Sequence, residues 1–263
     1  MKDVLNTLGH LGREIHRRYD EFGPLLVFDD GNKRFLSFGT ADEQSCQLKK
    51  DPLILQHDYA RCMFGVLTRY DDITAIRNIT LLGTGGGTLA TVLHERLSEA
   101  QIAAVDVRAA VFQVARQYFG LPRSPRLQTF TMDASHYLAT VTAAQCDLLI
   151  TDLYQAEGLD PLVLQPDFLK MCAAHLQQDG WLVLNLWKEH REQTDCLQHL
   201  KALFPTIAMN TTSDGNWIIW ASRAQQNAAD RTGRDEAKRR CKQLNELLEF
   251  NLWQQVKGFY RGS

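Results

Sequence analysis

Residues 79–89 read Ile-Thr-Leu-Leu-Gly-Thr-Gly-Gly-Gly-Thr-Leu, and nineteen residues after Gly87 comes Asp106, which closes a second apolar run over 102–105. The first run is a strand that enters a glycine-rich turn and leaves it as a helix. Glycines let the backbone approach a ligand closely, and the helix that follows offers N–H groups without intrahelical partners. The acid ending the second strand stands where a ribose diol needs an acceptor. A tight turn with nothing bound is the plainer reading of the glycines, and a solvated strand-end acid is the plainer reading of Asp106. Strand, turn, helix, strand and acid in that order favour a nucleoside-binding α/β domain, with Gly83, Gly85, Gly86, Gly87, Asp106 and the adjoining Val107 as its binding residues.

Working outward, strands are expected at 79–83, 102–107, 127–132, 147–152 and 181–186, and helices at 88–98, 108–119, 134–142, 165–178 and 191–203. Such alternation predicts a parallel sheet covered on both faces. The pattern then changes: 206–212 and 217–221 flank Ser213-Asp214-Gly215-Asn216, a hairpin turn, so the sheet should end in an antiparallel pair. Five βα units closed by a hairpin give the seven-stranded, Rossmann-like sheet of S-adenosylmethionine-dependent methyltransferases, not that of a nicotinamide dehydrogenase. Upstream, 25–28 and 34–38 form two strands around Asp29-Asp30-Gly31-Asn32, a small β annex. A helix is expected at 59–67. Val4, Leu8, Leu11 and Ile15 are spaced as one face of a short helix ahead of the annex. From Arg223 the chain carries nine Lys/Arg against five Asp/Glu, and Leu244, Leu248, Leu252, Val256 and Phe259 form a stripe. That stripe predicts one amphipathic helix over 235–260, packed on its own domain or on a second subunit. The division is therefore 1–70 for the N-terminal helix and annex, 71–222 for the nucleoside-binding domain, and 223–263 for a basic C-terminal helix.

The bulk numbers narrow the function. With 44% hydrophobic and 23% charged residues among 263, the chain is an ordinary soluble globular protein. A net charge of −2 argues against general nucleic-acid binding. No run approaches the ~20 apolar residues of a membrane span, and no signal peptide opens the chain. The six cysteines (46, 62, 146, 172, 196, 241) show no paired spacing, which fits reduced thiols in the cytoplasm and no metal site.

Three further positions carry chemistry. Asp133 ends the third strand in Met132-Asp133-Ala134, where a carboxylate accepts from an adenine amine and the Ala134 N–H meets a ring nitrogen. A helix N-cap is its other reading, and both roles can coexist. Asp152 ends the fourth strand in Ile150-Thr151-Asp152-Leu153-Tyr154. Ligands of open α/β sheets bind beyond the carboxyl ends of strands, so a carboxylate there faces the reacting centre and can take a proton from an attacking amine. Tyr59 closes the pocket from the annex side or is an ordinary core tyrosine.

The chain resembles the spermidine synthase (polyamine aminopropyltransferase) family over about residues 20–222. The resemblance lies in the annex, the turn Gly83 to Thr88, Ala104-Val105-Asp106-Val107, Gln117-Tyr118-Phe119-Gly120-Leu121-Pro122, Met132-Asp133-Ala134 and Thr151-Asp152. It implies an SN2 displacement in which an amine attacks the methylene beside the sulfonium of decarboxylated S-adenosylmethionine and releases methylthioadenosine. It also implies that Asp106 holds the ribose and Asp133 the adenine, and that Asp152 and Tyr59 are catalytic. The chain departs from the family in four places. The loop aspartate that holds the donor's amine is Gly86, the second acceptor-binding aspartate is Gln155, the tyrosine before the last hairpin turn is Thr212, and the pair after the catalytic tyrosine is Ala60-Arg61. This is the pattern of the divergent, spermidine synthase-like branch.

The expected function is thus an aminopropyltransferase-type transferase whose co-substrate is decarboxylated S-adenosylmethionine or S-adenosylmethionine itself, with no metal. The acceptor is a small amine or other small molecule met by Tyr154, Gln155 and Thr212, and not putrescine. A methyltransferase using the intact donor and a non-catalytic nucleoside-binding or interaction protein are the alternatives. Neither nucleic acid nor membrane is an expected partner, and a homodimer is compatible with the sequence.

Overall fold

The computed structural model describes residues 11–39, 43–141, 145–192, 194–225 and 233–260. Their first unit is a four-stranded antiparallel sheet, in the order β1 (Arg13–Asp20), β2 (Gly23–Asp30), β3 (Lys33–Ser37) and β4 (Ser45–Leu48). Gly31 takes φ 54° at the first of the two central positions of the β2–β3 turn, between the paired Asp30 and Lys33. That geometry matches the right-handed twist of the flanking strands.

β1 corrects the sequence reading. Val4 and Leu8 lie outside the described residues, and Leu11 has 3₁₀-helical geometry, but Ile15 does not belong to a helix. Ile15 lies in β1, and Leu11 packs with Leu26, Phe28, Phe35 and Cys46. The hairpin decides this: Asp20 pairs with Gly23, the Asp20 side chain accepts from the Phe22 N–H at 3.0 Å, and the register runs back to Arg13↔Asp29. Of the four stripe residues only Ile15 falls on β1, which is too little to hold a helix there against an available ladder.

The main sheet holds β5 (Asn78–Leu82), β6 (Gln101–Asp106), β7 (Leu127–Thr131), β8 (Cys146–Thr151), β11 (Leu176–Trp187), β12 (Thr206–Thr211) and β13 (Asn216–Ser222), in the order β12-β13-β11-β8-β5-β6-β7. β11, β8, β5, β6 and β7 are parallel, and β13 runs antiparallel to both of its neighbours. The closing pair is therefore antiparallel, and the sheet is that of the methyltransferase-like fold. A short pair, β9 (Tyr154–Gln155) with β10 (Gly158–Leu159), stands beyond the end of β8.

Helices cover both faces of the sheet. α1 (Asp58–Phe64) and α2 (Thr88–Arg96) contribute to one core, through residues such as Met63, Phe64, Leu89 and Val92. α4 (Ala134–Thr140), α5 (Pro166–His175) and α6 (Thr194–Leu203) supply the other, through Tyr137, Phe168, Leu169 and Leu200. α3 (Ala109–Tyr118) presents Ala110, Val111 and Val114 to Leu25, Val27 and Leu36, which docks the annex on the main sheet.

The C-terminal stripe is real, but it is not one helix. α7 (Arg234–Leu248) ends at Glu249, which adopts φ 61°; α8 (Leu252–Val256) follows, then a 3₁₀ turn over Lys257–Tyr260. Asn245 explains the break. Its main-chain oxygen accepts from the Glu249 N–H, and its side-chain oxygen accepts from the Leu252 N–H, so both helix ends are satisfied at the bend. Bending lets Leu244, Leu248, Leu252 and Val256 all reach the chain's own core. Phe259 stacks on Trp220 at 3.5 Å between ring centroids.

Neighbouring β5 and β8 feed connections that leave in opposite directions, one through α2 to β6 and the other to β11. The sheet's topological switch point lies between them, and ligands of open α/β sheets bind in the crevice there.

Candidate active site

A cavity of about 770 Å³ opens at that point. Gly83, Thr84 and Gly85 of the glycine turn line it, whereas Gly86 and Gly87, also expected to bind, do not. Gly83 has φ 87°, and a Cβ on it would lie 2.1 Å from the Asp152 carbonyl oxygen. Gly86 has no room for a side chain either, since a Cβ would fall 2.9 Å from the Ser45 Cβ and 3.2 Å from the Phe119 ring. The closeness of β4 thus leaves no space for an acid at position 86. Ser45, at the start of β4, accepts from the Gly86 N–H at 2.8 Å.

The turn's other N–H groups also have partners within the fold. Thr84 N donates to Asp106 Oδ2 at 3.0 Å and Gly87 N to the Thr84 carbonyl at 2.8 Å, while the Gly85 N–H faces Asp106. Asp106 Oδ1 accepts from the Arg108 N–H at 2.9 Å. Burial pushes the Asp106 pKa above the usual carboxylate range, although these backbone donors oppose the shift. Three backbone donors on the two oxygens do not fill their lone pairs, which leaves acceptor capacity for a vicinal diol. Val107, 45% exposed, stands beside it as an apolar wall.

Asp133 is the N-cap of α4, with Oδ1 accepting from the His136 N–H at 3.0 Å. Both it and Ala134 line the cavity. The capping and lining positions coexist, because Oδ2 has no hydrogen bond among the described residues.

Asp152 follows β8 and lines the cavity. Its Oδ1 accepts from Asn185 Nδ2 at 2.8 Å. Burial raises its pKa from 3.8 to about 6, and the Asn185 donor acts in the opposite direction. Tyr59 enters from α1. Burial, reinforced by the charge of Asp152, holds its hydroxyl well above the ordinary phenol range. Its ring stacks on His57 at 5.2 Å, and His57 Nδ1 lies 3.4 Å from Glu43. Burial lowers the His57 pKa, which favours the neutral ring. Tyr154 also lines the cavity, with its hydroxyl donating to the Asn185 main-chain oxygen at 3.3 Å.

Among the described residues that line it, eight are Asp or Glu and Arg108 is the sole Lys or Arg. Arg108 is 5% exposed and already paired with Asp20, at 2.8 Å from Nη2 and 3.1 Å from Nε. The cavity is therefore strongly anionic, and it focuses a potential that attracts cations.

Gln155 lines the wall, with its amide turned to Asp160 Oδ2 at 2.8 Å. Thr212 does not reach the cavity. Its N–H donates to the Asn216 carbonyl at 2.8 Å and its hydroxyl accepts from the Asn216 N–H at 3.1 Å, so it closes the β12–β13 turn. Asp214, two residues on, takes the place on the wall. Sequence reasoning also missed Ser45, Glu43, Asp160, Asn185 and Asn216. Asn185 left a trace: a single amide within the apolar run 181–187 must find a buried partner. The others are brought in by tertiary pairing. No group of three or more His, Cys, Asp or Glu among the described residues is placed to hold a metal ion. No described helix is long and apolar enough to cross a membrane.

Residues 27–228 match the spermine/spermidine synthase domain. The chain belongs to that family. The spermine/spermidine synthase match takes in the annex from the middle of β2 onward and the whole seven-stranded sheet. A polyamine aminopropyltransferase of Neisseria meningitidis is 24% identical over 95% of this chain and 94% of its own length. A probable spermidine synthase from Corynebacterium glutamicum has the same fold, with a TM-score of 0.73, 19% identity and coverage of 89% of this chain and 87% of that one. The mouse eEF1A lysine and N-terminal methyltransferase is 26% identical over 61% of this chain, which spans 25% of that longer protein.

Proposed function

We propose that the protein is an aminopropyltransferase-type enzyme that joins the alkyl group of an adenosylated sulfonium to the nitrogen of an acceptor amine other than putrescine. The observation that carries this reading is the anionic cavity with a raised-pKa carboxylate, Asp152, in its lining. A sulfonium and a protonated amine are both cations, and both are drawn to such a site. The nucleoside fits the residues present: Asp106 takes the ribose hydroxyls, Asp133 and Ala134 the adenine edge, and Val107 one ring face. When bound, the donor supplies an electrophilic carbon beside its sulfur. Asp152 accepts the proton that the acceptor ammonium must lose before its lone pair can attack, and Tyr59 walls the reacting centre from the annex side.

The glycine turn supports the decarboxylated donor over the intact one. Its N–H groups are spent on Asp106, Ser45 and the Thr84 carbonyl, and the lone arginine of the wall is spent on Asp20. A donor carboxylate would meet acids and no free cation.

A second reading is favoured by the likeness to a lysine and N-terminal methyltransferase. Methyl transfer to an amine uses the same base in the same place and needs only the intact donor. Calorimetric titration with decarboxylated donor, intact donor and methylthioadenosine separates the readings. Tight binding of the first and third with weak binding of the second supports aminopropyl transfer. Preference for the intact donor supports methylation, and no binding of any of the three removes both.

A further inference from the structure

β8 and β11 pair in parallel through Leu182↔Leu149, Val183↔Ile150 and Leu184↔Thr151. The next residue on each strand is Asp152 and Asn185, so the two stand level, one step beyond the last pair. There Asn185 Nδ2 donates to Asp152 Oδ1 at 2.8 Å. Asn185 is 1% exposed. Its own Oδ1 accepts from Asn216 Nδ2 at 2.9 Å, and Asn216 begins β13 opposite Trp187. Each member of this chain of amides fixes the next.

A buried amide without an anchor can turn over. Asn185 turned over would put a carbonyl oxygen against the carboxylate, which is repulsive where water cannot intervene. The donor from Asn216 removes that alternative, because it needs the Asn185 oxygen to point away from Asp152. Asp152 Oδ2 has no hydrogen-bond partner among the described residues, so it is the oxygen left for a substrate proton.

We propose that Asn185, oriented by Asn216, is a positioning residue that engages Asp152 Oδ1 and leaves Oδ2 as the proton acceptor of the site. The inference rests on Asp152 being the base of the reaction proposed above. The phenols of Tyr59 and Tyr154, the neutral ring of His57 and the carboxylates of Glu43 and Asp214 share the cavity with Asp152. Among these and the buried amides, only Asn185 donates a hydrogen bond to it. The amide stabilises the carboxylate form, so it sets the pH at which the base becomes available.

The test is a carboxyl ¹³C NMR titration of protein labelled at aspartate, with the Asp152 signal identified by its absence from Asp152→Asn. In Asn185→Leu the Asp152 midpoint is expected to rise by about one pH unit, the worth of a charge-assisted hydrogen bond. In Asn216→Ala a smaller rise in the same direction is expected, since Asn185 is then free to turn. Asn216 is partly exposed, so that variant decides the matter if Asn185→Leu does not fold. Methylthioadenosine affinity should stay within about twofold of wild type in both variants. An unmoved midpoint in the folded variants overturns the proposal. The titration needs no turnover, so an enzyme inactive on every amine would defeat the functional reading and leave this one standing or falling on its own data.

Discussion

Gly83 and Asp152 are in main-chain contact: the Cβ that Gly83 lacks would sit 2.1 Å from the Asp152 carbonyl oxygen. The Asp152 N–H in turn donates to the Leu82 carbonyl at 2.8 Å. The glycine turn and the end of β8 are thereby one rigid unit, which in the proposed reaction would fix the distance between electrophile and base before either substrate arrives.

Gly83→Ala should therefore damage both stability and binding. The substitution meets a left-handed backbone (φ 87°) and a main-chain oxygen that cannot move aside. Strain and overpacking together are expected to cost about 2–4 kcal/mol, read as a lower urea midpoint, with methylthioadenosine binding lost. A variant as stable as wild type would mean that the turn relaxes easily and that the contact has no constraining role.

Asp106→Ala is expected to weaken methylthioadenosine binding roughly ten- to a hundredfold by calorimetry, the value of one or two hydrogen bonds to a charged acceptor. Its backbone donors at Thr84 and Arg108 would be left unpaired as well, so a modest drop in melting temperature should accompany the loss. Unchanged affinity would remove Asp106 from the ribose site.

Asp152 should reduce stability at neutral pH. Its folded pKa is raised from 3.8 to about 6, so the folded state holds the proton more tightly than the unfolded chain does. The stability linked to that proton is complete below about 3.8 and is lost as the pH rises through 6. Asp152→Asn, which can still accept from Asn185, is thus expected to be more stable than wild type by about 3 kcal/mol at pH 7, with the difference gone below pH 4. Chemical denaturation across pH 3.5–8 reads this directly, and a gain that grows toward low pH would contradict the sign.

The C-terminal segment is expected to be indispensable. Leu248, Leu252 and Val256 are fully buried against the sheet's helices, and Phe259 covers Trp220. Truncation before Arg234 uncovers that surface and should give an aggregating or molten product by near-UV circular dichroism. A soluble truncation with native melting behaviour would show the segment to be an accessory.

Most of the sheet was legible because a buried parallel strand leaves a largely apolar run, and Gly83, Asp106 and Asp152 were legible for the same reason, since each ends such a run. The edge strand β7, Leu-Gln-Thr-Phe-Thr, is half-exposed and only partly apolar, so it and Asp133 were placed by their position in the βα alternation. β1 was not legible, because Arg13–Asp20 is half-exposed along its length and carries no alternation; its pairing with β2 comes from a turn at Asp20–Gly23. The bend at Glu249 was hidden because the apolar spacing runs through it undisturbed, and only the double use of Asn245 reveals it. Ser45 and Glu43, Asn185, and Asp214 reach the cavity from three separate parts of the chain. Their partners are set by strand register and annex docking, which no local pattern records.

The acceptor side gives the last prediction. A diamine needs an anionic partner for its second ammonium, because an unpaired buried cation is costly. Gln155 is neutral, and the adjacent Asp160 is already satisfied, with Oδ2 accepting from Gln155 Nε2 at 2.8 Å and Oδ1 from the Leu162 N–H at 2.9 Å. Thr212 stays outside the cavity. Putrescine is thus expected to be a poor acceptor with the decarboxylated donor, by product formation across a panel of amines. Gln155→Asp restores a charge on that wall and should raise kcat/KM for putrescine roughly tenfold, chiefly through KM, in line with one charged hydrogen bond. Asp152→Asn should lower turnover of whichever amine is used by about 10²–10⁴, chiefly through kcat. Robust putrescine turnover by wild type would show that Glu43 or Asp214 already serves the distal amine, and activity surviving in Asp152→Asn would place the base elsewhere.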